Sequence, residues 1–179
     1  MATVEGVPRR VVLTGSESTG KTTLAADLAR HYSVLWVPEY VRTYAAWKLA
    51  PLDAGDVTPI ALGQIAVQDA ELMRASGLLL FDTDLLSTAV YAEHYYGQCP
   101  EWITQAVLAR RADLYLLCDI DVPWTVDPQR DRPNDREAIQ GRFREALRAR
   151  GFPAVDIRGG WRDRFQAART AIDAIAADS

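Results

Sequence analysis

A three-layer α/β fold, in which a five-stranded parallel sheet carries helices on both faces, is predicted by three features of this 179-residue sequence. Short apolar runs alternate with longer segments whose apolar residues recur at helical spacing. The run Val11-Val12-Leu13 leads into Gly15-Ser16-Glu17-Ser18-Thr19-Gly20-Lys21-Thr22, which satisfies the phosphate-binding pattern G-x-x-x-x-G-K-[ST] between a strand and a helix. Charged residues then recur just past the apolar runs, at the edge where a doubly covered parallel sheet binds its ligands.

Taken in order, residues 11–13 form the first strand and residues 23–30 continue the helix that the glycine loop opens. Residues 34–37 make a second short strand ended by Pro38, with the charged segment 39–44 directly beyond. A loop over 53–59 precedes a helical stripe over 60–73, which closes near Gly77. Residues 78–81 form the third strand and end in Asp82-Thr83-Asp84. Helices follow over 85–95 and 101–110, separated by a loop from Gly97 to Pro100. Leu114-Tyr115-Leu116-Leu117-Cys118 is the fourth strand and Ala154-Val155-Asp156-Ile157 the fifth, with a charged helix over 134–150 between them and a last helix over 162–176. Internal repeats, linkers and low-complexity tracts are absent, so residues 1–179 are expected to form one domain, with an N-terminal tail over 1–8.

The glycine loop fixes the chemistry. Its glycines let the backbone curl so that successive N–H groups face a polyphosphate, and the helix N-terminus adds partial positive charge. Residues Gly15, Ser16, Glu17, Ser18, Thr19, Gly20, Lys21, Thr22 and Thr23 are therefore the expected ATP-binding set. Lys21 reaches the outer phosphates, and Thr22 offers its hydroxyl to a magnesium ion that bridges phosphate oxygens.

Three strand-end loops carry the remaining candidates. Asp82, at the end of an apolar strand, is expected to serve the metal, while Asp84 either faces the acceptor or caps the next helix. Glu39 is placed to orient an acceptor hydroxyl and take its proton, with Arg42 clamping the acceptor or a phosphate; the alternative is a solvated i,i+3 ion pair. Residues 119–136 are long, polar and rich in arginine, which suits a lid whose Arg130 and Arg132 close on the transferring phosphate. The alternative is a charged loop whose arginines pair with Asp127, Asp131 and Asp135. Trp36, Tyr40, Tyr91, Tyr95 and Tyr96 are either walls of a flat-ring pocket or core.

Composition narrows the partners. A hydrophobic share of 49% with 25% charged residues is ordinary for a globular enzyme, and a net charge of −4 offers no general basic surface to nucleic acid or anionic membrane. No segment approaches the ~20 apolar residues of a membrane span, and there is no basic leader before an apolar stretch, so a cytoplasmic enzyme is expected. Cys99 and Cys118 have no ligand or disulfide spacing and read as reduced thiols. His31 and His94 lie near helix ends and read as solvent-facing or capping. The sequence leaves a homodimer open.

The blocks Gly15-Ser16-Glu17-Ser18-Thr19-Gly20-Lys21-Thr22, Glu39-Tyr40-Val41-Arg42, Ile60-Ala61-Leu62-Gly63-Gln64, Phe81-Asp82-Thr83-Asp84 and Pro123-Trp124-Thr125-Val126-Asp127 span nearly the whole chain. In that order they resemble the ribosylnicotinamide kinase domain of the NadR-type bifunctional NAD-biosynthesis proteins and its stand-alone relatives. The resemblance implies a nucleoside-kinase-like phosphate-loop NTPase fold that phosphorylates the ribose 5′-hydroxyl of nicotinamide riboside with ATP. It further implies that Asp82 serves the metal, that Glu39 and Asp84 contact the riboside, that Arg130 and Arg132 belong to the lid, and that Trp124 helps form the pocket. Neither a helix-turn-helix segment nor a nucleotidyltransferase domain precedes these blocks, so only the kinase step is expected. Two other classes compete: a regulatory ATPase switch, which needs neither Glu39 nor the arginine lid, and a nucleotide-binding module without turnover, which would not need Lys21, Thr22 and Asp82 together.

Overall fold

A computed structural model of the chain describes residues 7–123 and 135–177. Its elements run β1 (Arg9–Thr14), α1 (Lys21–Tyr32), β2 (Trp36–Val37), α2 (Tyr40–Lys48), a 3₁₀ turn (Ala54–Asp56), α3 (Val57–Leu72), β3 (Leu78–Asp82), α4 (Leu85–Tyr96), α5 (Glu101–Ala109), β4 (Leu114–Cys118), α6 (Arg136–Ala149), β5 (Ala154–Ile157) and α7 (Trp161–Ala177). The five strands form one sheet in the order β2-β3-β1-β4-β5, and every pairing is parallel.

Strand periodicity divides the core into two layers. Val11 and Leu13 of β1 point to a cluster with Leu24 and Leu28 of α1 and Ala168 and Ile172 of α7. Val12, between them, points to the opposite cluster with Leu85 and Val90 of α4, Ile103 of α5 and Phe143 of α6. Burial on both faces explains why the inner strands β3 and β4 are nearly continuous apolar runs, whereas the edge strand β5 carries Asp156 and is only partly buried. No helix among the described residues is long and apolar enough to cross a membrane.

Element boundaries shift where a cap competes with a strand or a turn. Residue 34 does not enter β2, because the Val34 N–H donates to the Ala29 carbonyl at 3.0 Å and closes the C-terminus of α1. The segment over 53–59 is not all loop. Asp53 accepts from the Gly55 N–H at 2.7 Å and Asp56 accepts from the Asp53 N–H at 2.7 Å, so a reciprocal cap starts the 3₁₀ turn and α3 begins at Val57. Pro59 lies within that first turn, where its missing N–H has no helical partner to lose.

The α2–α3 contact depends on a glycine. A Cβ added at Gly63 would stand 2.0 Å from the Tyr40 ring. Gly63→Ala is expected to displace that ring at a cost of about 1–2 kcal/mol, read as a thermal midpoint lowered by roughly 2–8 °C.

Candidate active site

All five strands point their C-terminal ends at one edge, and β1 lies at the switch point between β3 and β4. The turn after β1 is held in irregular backbone: Gly15, Ser18 and Gly20 have φ of 123°, 53° and 79°. Gly15 is required sterically, since a Cβ there would lie 2.6 Å from the Cys118 carbonyl oxygen. Ser18 occupies the left-handed region without being glycine, which costs about 1 kcal/mol or more unless neighbours impose it. Gln140 of α6 braces the turn, its Oε1 accepting from the Ser16 N–H at 2.9 Å and its Nε2 donating to the Cys118 carbonyl at 3.1 Å.

Lys21 opens α1 and is nearly buried, with its Nζ donating to the carbonyls of Gly15 and Ser16 at 3.0 and 2.8 Å. Its ammonium is thus folded into the loop it serves. Thr22, on the same first turn, donates its hydroxyl to Asp82 Oδ2 at 2.6 Å. In-register pairing of Leu13 with Asp82 brings the end of β3 level with the start of the loop.

Asp82 is 1% exposed, and its Oδ1 has no hydrogen-bond partner among the described residues. Burial lifts its carboxyl to about 6; the charge of Glu39 adds to the rise, and Lys21 opposes it. A buried, unpartnered carboxylate oxygen beside a hydroxyl and near a second carboxylate is a donor set for a hard cation such as magnesium. Among the described residues no group of three or more acidic, histidine or cysteine side chains forms a complete metal centre. The remaining ligands of such an ion would be phosphate oxygens and water.

Glu39 precedes α2, and its side chain, 15% exposed, accepts from Arg42 Nε at 2.9 Å. Residues three apart on the first turn are neighbours in space, so the ion pair given as the alternative forms, with Glu39 partly buried rather than fully solvated. Tyr40 follows with its N–H donating to Gln64 Oε1 at 3.0 Å. Gln64 is buried, and its Nε2 has no partner among the described residues.

Asp84 departs from the acceptor-facing alternative. Thr83 adopts φ 68°, which turns the chain between the two aspartates. Asp84 Oδ1 accepts from the Leu86 N–H at 3.0 Å and Oδ2 accepts from the Tyr115 hydroxyl at 3.1 Å, so the carboxylate caps α4 from within the core. The small cavity it lines also contains Arg10 and Ala112, at the opposite edge of the sheet. Burial pushes the carboxyl up to about 6, and the Tyr115 and backbone donors limit the rise. Asp84→Ala is expected to cost about 2–4 kcal/mol, since it removes a helix cap and leaves the buried Tyr115 O–H without its acceptor, although the hydroxyl oxygen still accepts from the Ala112 N–H; chemical denaturation measures it.

Tyr91 and Tyr95 stack on each other at 5.8 Å, and Tyr91 meets Phe143 edge-on between α4 and α6. His94 is half-buried rather than solvent-facing, with Nε2 at 3.3 Å from Asp135. Trp124, Arg130 and Arg132, and most of the lid expected over 119–136, lie outside the described residues.

Sequence reasoning assigned no functional role to Gln140, Trp161 or Arg164, held Gln64 only within a block of the resemblance, and placed Arg136 only where the polar loop meets the charged helix. Trp161 opens α7 with its indole against Gly20, where a Cβ would meet Cη2 at 2.3 Å. The rule that found the other loops, applied to the end of β5, would have found this one. Arg164 and Arg136 carry no such signal, because their partners lie 145 and 118 residues away.

A family model described as an AAA domain matches residues 10–164. The trifunctional NAD biosynthesis/regulator protein NadR of Salmonella typhimurium is 29% identical over 156 residues, which make up 84% of this chain and 38% of that protein. The crystal structure of NadR in complex with NAD and AMP-PNP matches with a TM-score of 0.78 at 26% identity, over 94% of this chain and 49% of that one. The structure of NadR in complex with NR matches with a TM-score of 0.79 at the same identity and coverage. The chain therefore spans well under half of the curated relative and about half of the solved NadR chains. The family model over residues 10–164 places the chain in the AAA-domain family, and its glycine loop, sheet order and strand-end carboxylate lie within the region that is similar to NadR.

Proposed function

We propose that this chain is an ATP- and magnesium-dependent kinase that phosphorylates the ribose 5′-hydroxyl of nicotinamide riboside to give nicotinamide mononucleotide. The observation that carries the reading is the convergence, at one sheet edge, of the Thr22–Asp82 pair with its unpartnered Oδ1, Lys21 and the Glu39 carboxylate. A switch or a passive binding module has no need of a second carboxylate at that point.

In this reading residues 15–23 cradle the triphosphate through backbone N–H groups, and Lys21 Nζ exchanges its two carbonyls for phosphate oxygens. Glu39 orients the 5′-hydroxyl and accepts its proton. The 5′-oxygen forms a bond to the γ-phosphorus, the bond to the β,γ-bridging oxygen breaks, and ADP leaves with that electron pair. Magnesium, held by Thr22 and Asp82, supplies charge neutralisation at the phosphate oxygens when bound. Arg42 fixes the Glu39 carboxylate, Tyr40 and Trp124 flank the flat base, and Arg130 and Arg132 stabilise the transferring group. Asp84 acts as a structural cap beneath Asp82.

A coupled ADP-release assay with magnesium-ATP tests this against nicotinamide riboside, the common ribo- and deoxyribonucleosides, thiamine and a no-acceptor control. Turnover is expected with nicotinamide riboside, with the mononucleotide as product. Turnover with a different nucleoside would keep the kinase and replace its acceptor. ADP release that ignores every acceptor would favour the ATPase switch.

A further inference from the structure

The phosphate loop is gripped from behind by two arginines that lie outside the motif. Arg136, at the start of α6, donates from Nε to the Glu17 carbonyl at 3.2 Å, from Nη2 to the Ser18 carbonyl at 2.8 Å and from Nη1 to the Val122 carbonyl at 3.0 Å. Arg164 of α7 donates from Nη1 to the Thr19 carbonyl at 3.1 Å. Three consecutive carbonyls of the loop, those of residues 17, 18 and 19, therefore each accept from a guanidinium.

Arg164 is 0% exposed, and its other two guanidinium nitrogens are also engaged. Nε donates to the Gly159 carbonyl at 2.9 Å, and Nη2 donates to the Asp119 carbonyl at 2.9 Å and to the Asp121 carboxylate. A charge buried to this extent is tolerated only with a complete set of partners, and here the partners join the phosphate loop to the ends of β4 and β5.

Geometry gives these contacts a role. The described peptide bonds include no cis linkage, and in a planar trans peptide the carbonyl of one residue and the N–H of the next point in opposite directions. Holding the carbonyls of 17, 18 and 19 on the outer side therefore turns the N–H groups of Ser18, Thr19 and Gly20 to the inner side, where an anion is bound. The left-handed conformations of Ser18 and Gly20 are those that such an alternation requires. We infer that Arg136 and Arg164 are positioning residues of the phosphate site, which pre-orient its amide donors by anchoring the carbonyls on their reverse side. The inference rests on the phosphate-loop reading above and adds residues that the motif does not contain.

The test is made on the full chain. Backbone ¹⁵N order parameters of Ser18, Thr19 and Gly20 are measured without nucleotide, and affinity for inorganic tripolyphosphate, which has no base or sugar, is measured by calorimetry. Arg136 is only part-buried, so Arg136→Ala is the main variant, with Arg136→Lys as the conservative partner and Arg164→Lys as the buried counterpart.

In Arg136→Ala the order parameters are expected to fall from about 0.85 to below about 0.6. Tripolyphosphate affinity is expected to drop about tenfold, the scale of one lost charge-assisted hydrogen bond. Arg136→Lys should recover part of both. Unchanged order parameters in folded Arg136→Ala overturn the inference even if affinity falls, because Arg136 would then act by touching phosphate directly. If Arg164→Lys does not fold, Arg136→Ala decides alone. Wild-type protein that binds neither tripolyphosphate nor ADP would remove the phosphate-loop reading and this inference with it. Normal wild-type binding with unmoved variants removes the inference only.

Discussion

Lys21→Ala is expected to lower turnover about 1,000-fold while the protein stays folded. The size of the effect follows from what the ammonium contacts. Nζ lies 3.0 and 2.8 Å from the Gly15 and Ser16 carbonyls, inside the turn that faces the triphosphate, so a short movement transfers it to phosphate oxygens. Charge that develops on the transferring group then meets a preformed, nearly buried cation. The fold does not depend on that cation. The sheet and both core layers are built from apolar residues that Lys21 does not join. Steady-state turnover and a thermal midpoint measured on the same preparation separate the two effects. Near-normal turnover would discard the phosphate-loop assignment, and loss of the folded transition would mean that the side chain is a structural brace.

How far the sequence foretold this arrangement depends on the range of the interactions involved. Leu114–Cys118 and Ala154–Ile157 coincide with the expected strands because turn residues and helix ends bound each apolar run. The glycine loop was legible for the same reason: its pattern and both flanks are local. At two of the boundaries where the expectation slipped, a cap had intervened, whereas β1 is longer than expected and the charged segment past Pro38 opens a helix that runs to Lys48. Val34 left its strand to close α1, and the Asp53–Asp56 cap drew three residues into α3.

The acidic pair Asp82 and Asp84 marks the limit more sharply. Sequence alone left Asp84 with two roles, and what separates it from Asp82 is the left-handed backbone of Thr83 and the Tyr115 hydroxyl, 31 positions further along. The same limit hid the loop's supporting shell. Arg136, Arg164 and Gln140 reach the turn across more than 100 residues, and no spacing rule connects positions that only the parallel sheet brings together. A motif therefore specifies the donors that face a ligand, whereas the groups that aim those donors are set by topology.

Glu39→Gln is expected to lower turnover about 100-fold or more, with affinity for magnesium-ADP changed by less than about threefold. The amide keeps the shape of the side chain and can still accept from Arg42, whose Nε stands 2.9 Å from the carboxylate, so α2 should start in the same place. It cannot take a proton, and general-base assistance is lost. The substitution also removes the charge that helps to raise the Asp82 carboxyl, which should move Asp82 back toward the ordinary carboxylate range and leave the magnesium side of the site intact. Proton acceptance and nucleotide binding should thus separate in a single variant, a split that a surface ion pair cannot produce. Wild-type turnover in Glu39→Gln would return Glu39 and Arg42 to a helix-end ion pair. The acceptor's proton would then have to leave by another route, and an ATPase cycle that needs no acceptor base would become the stronger reading.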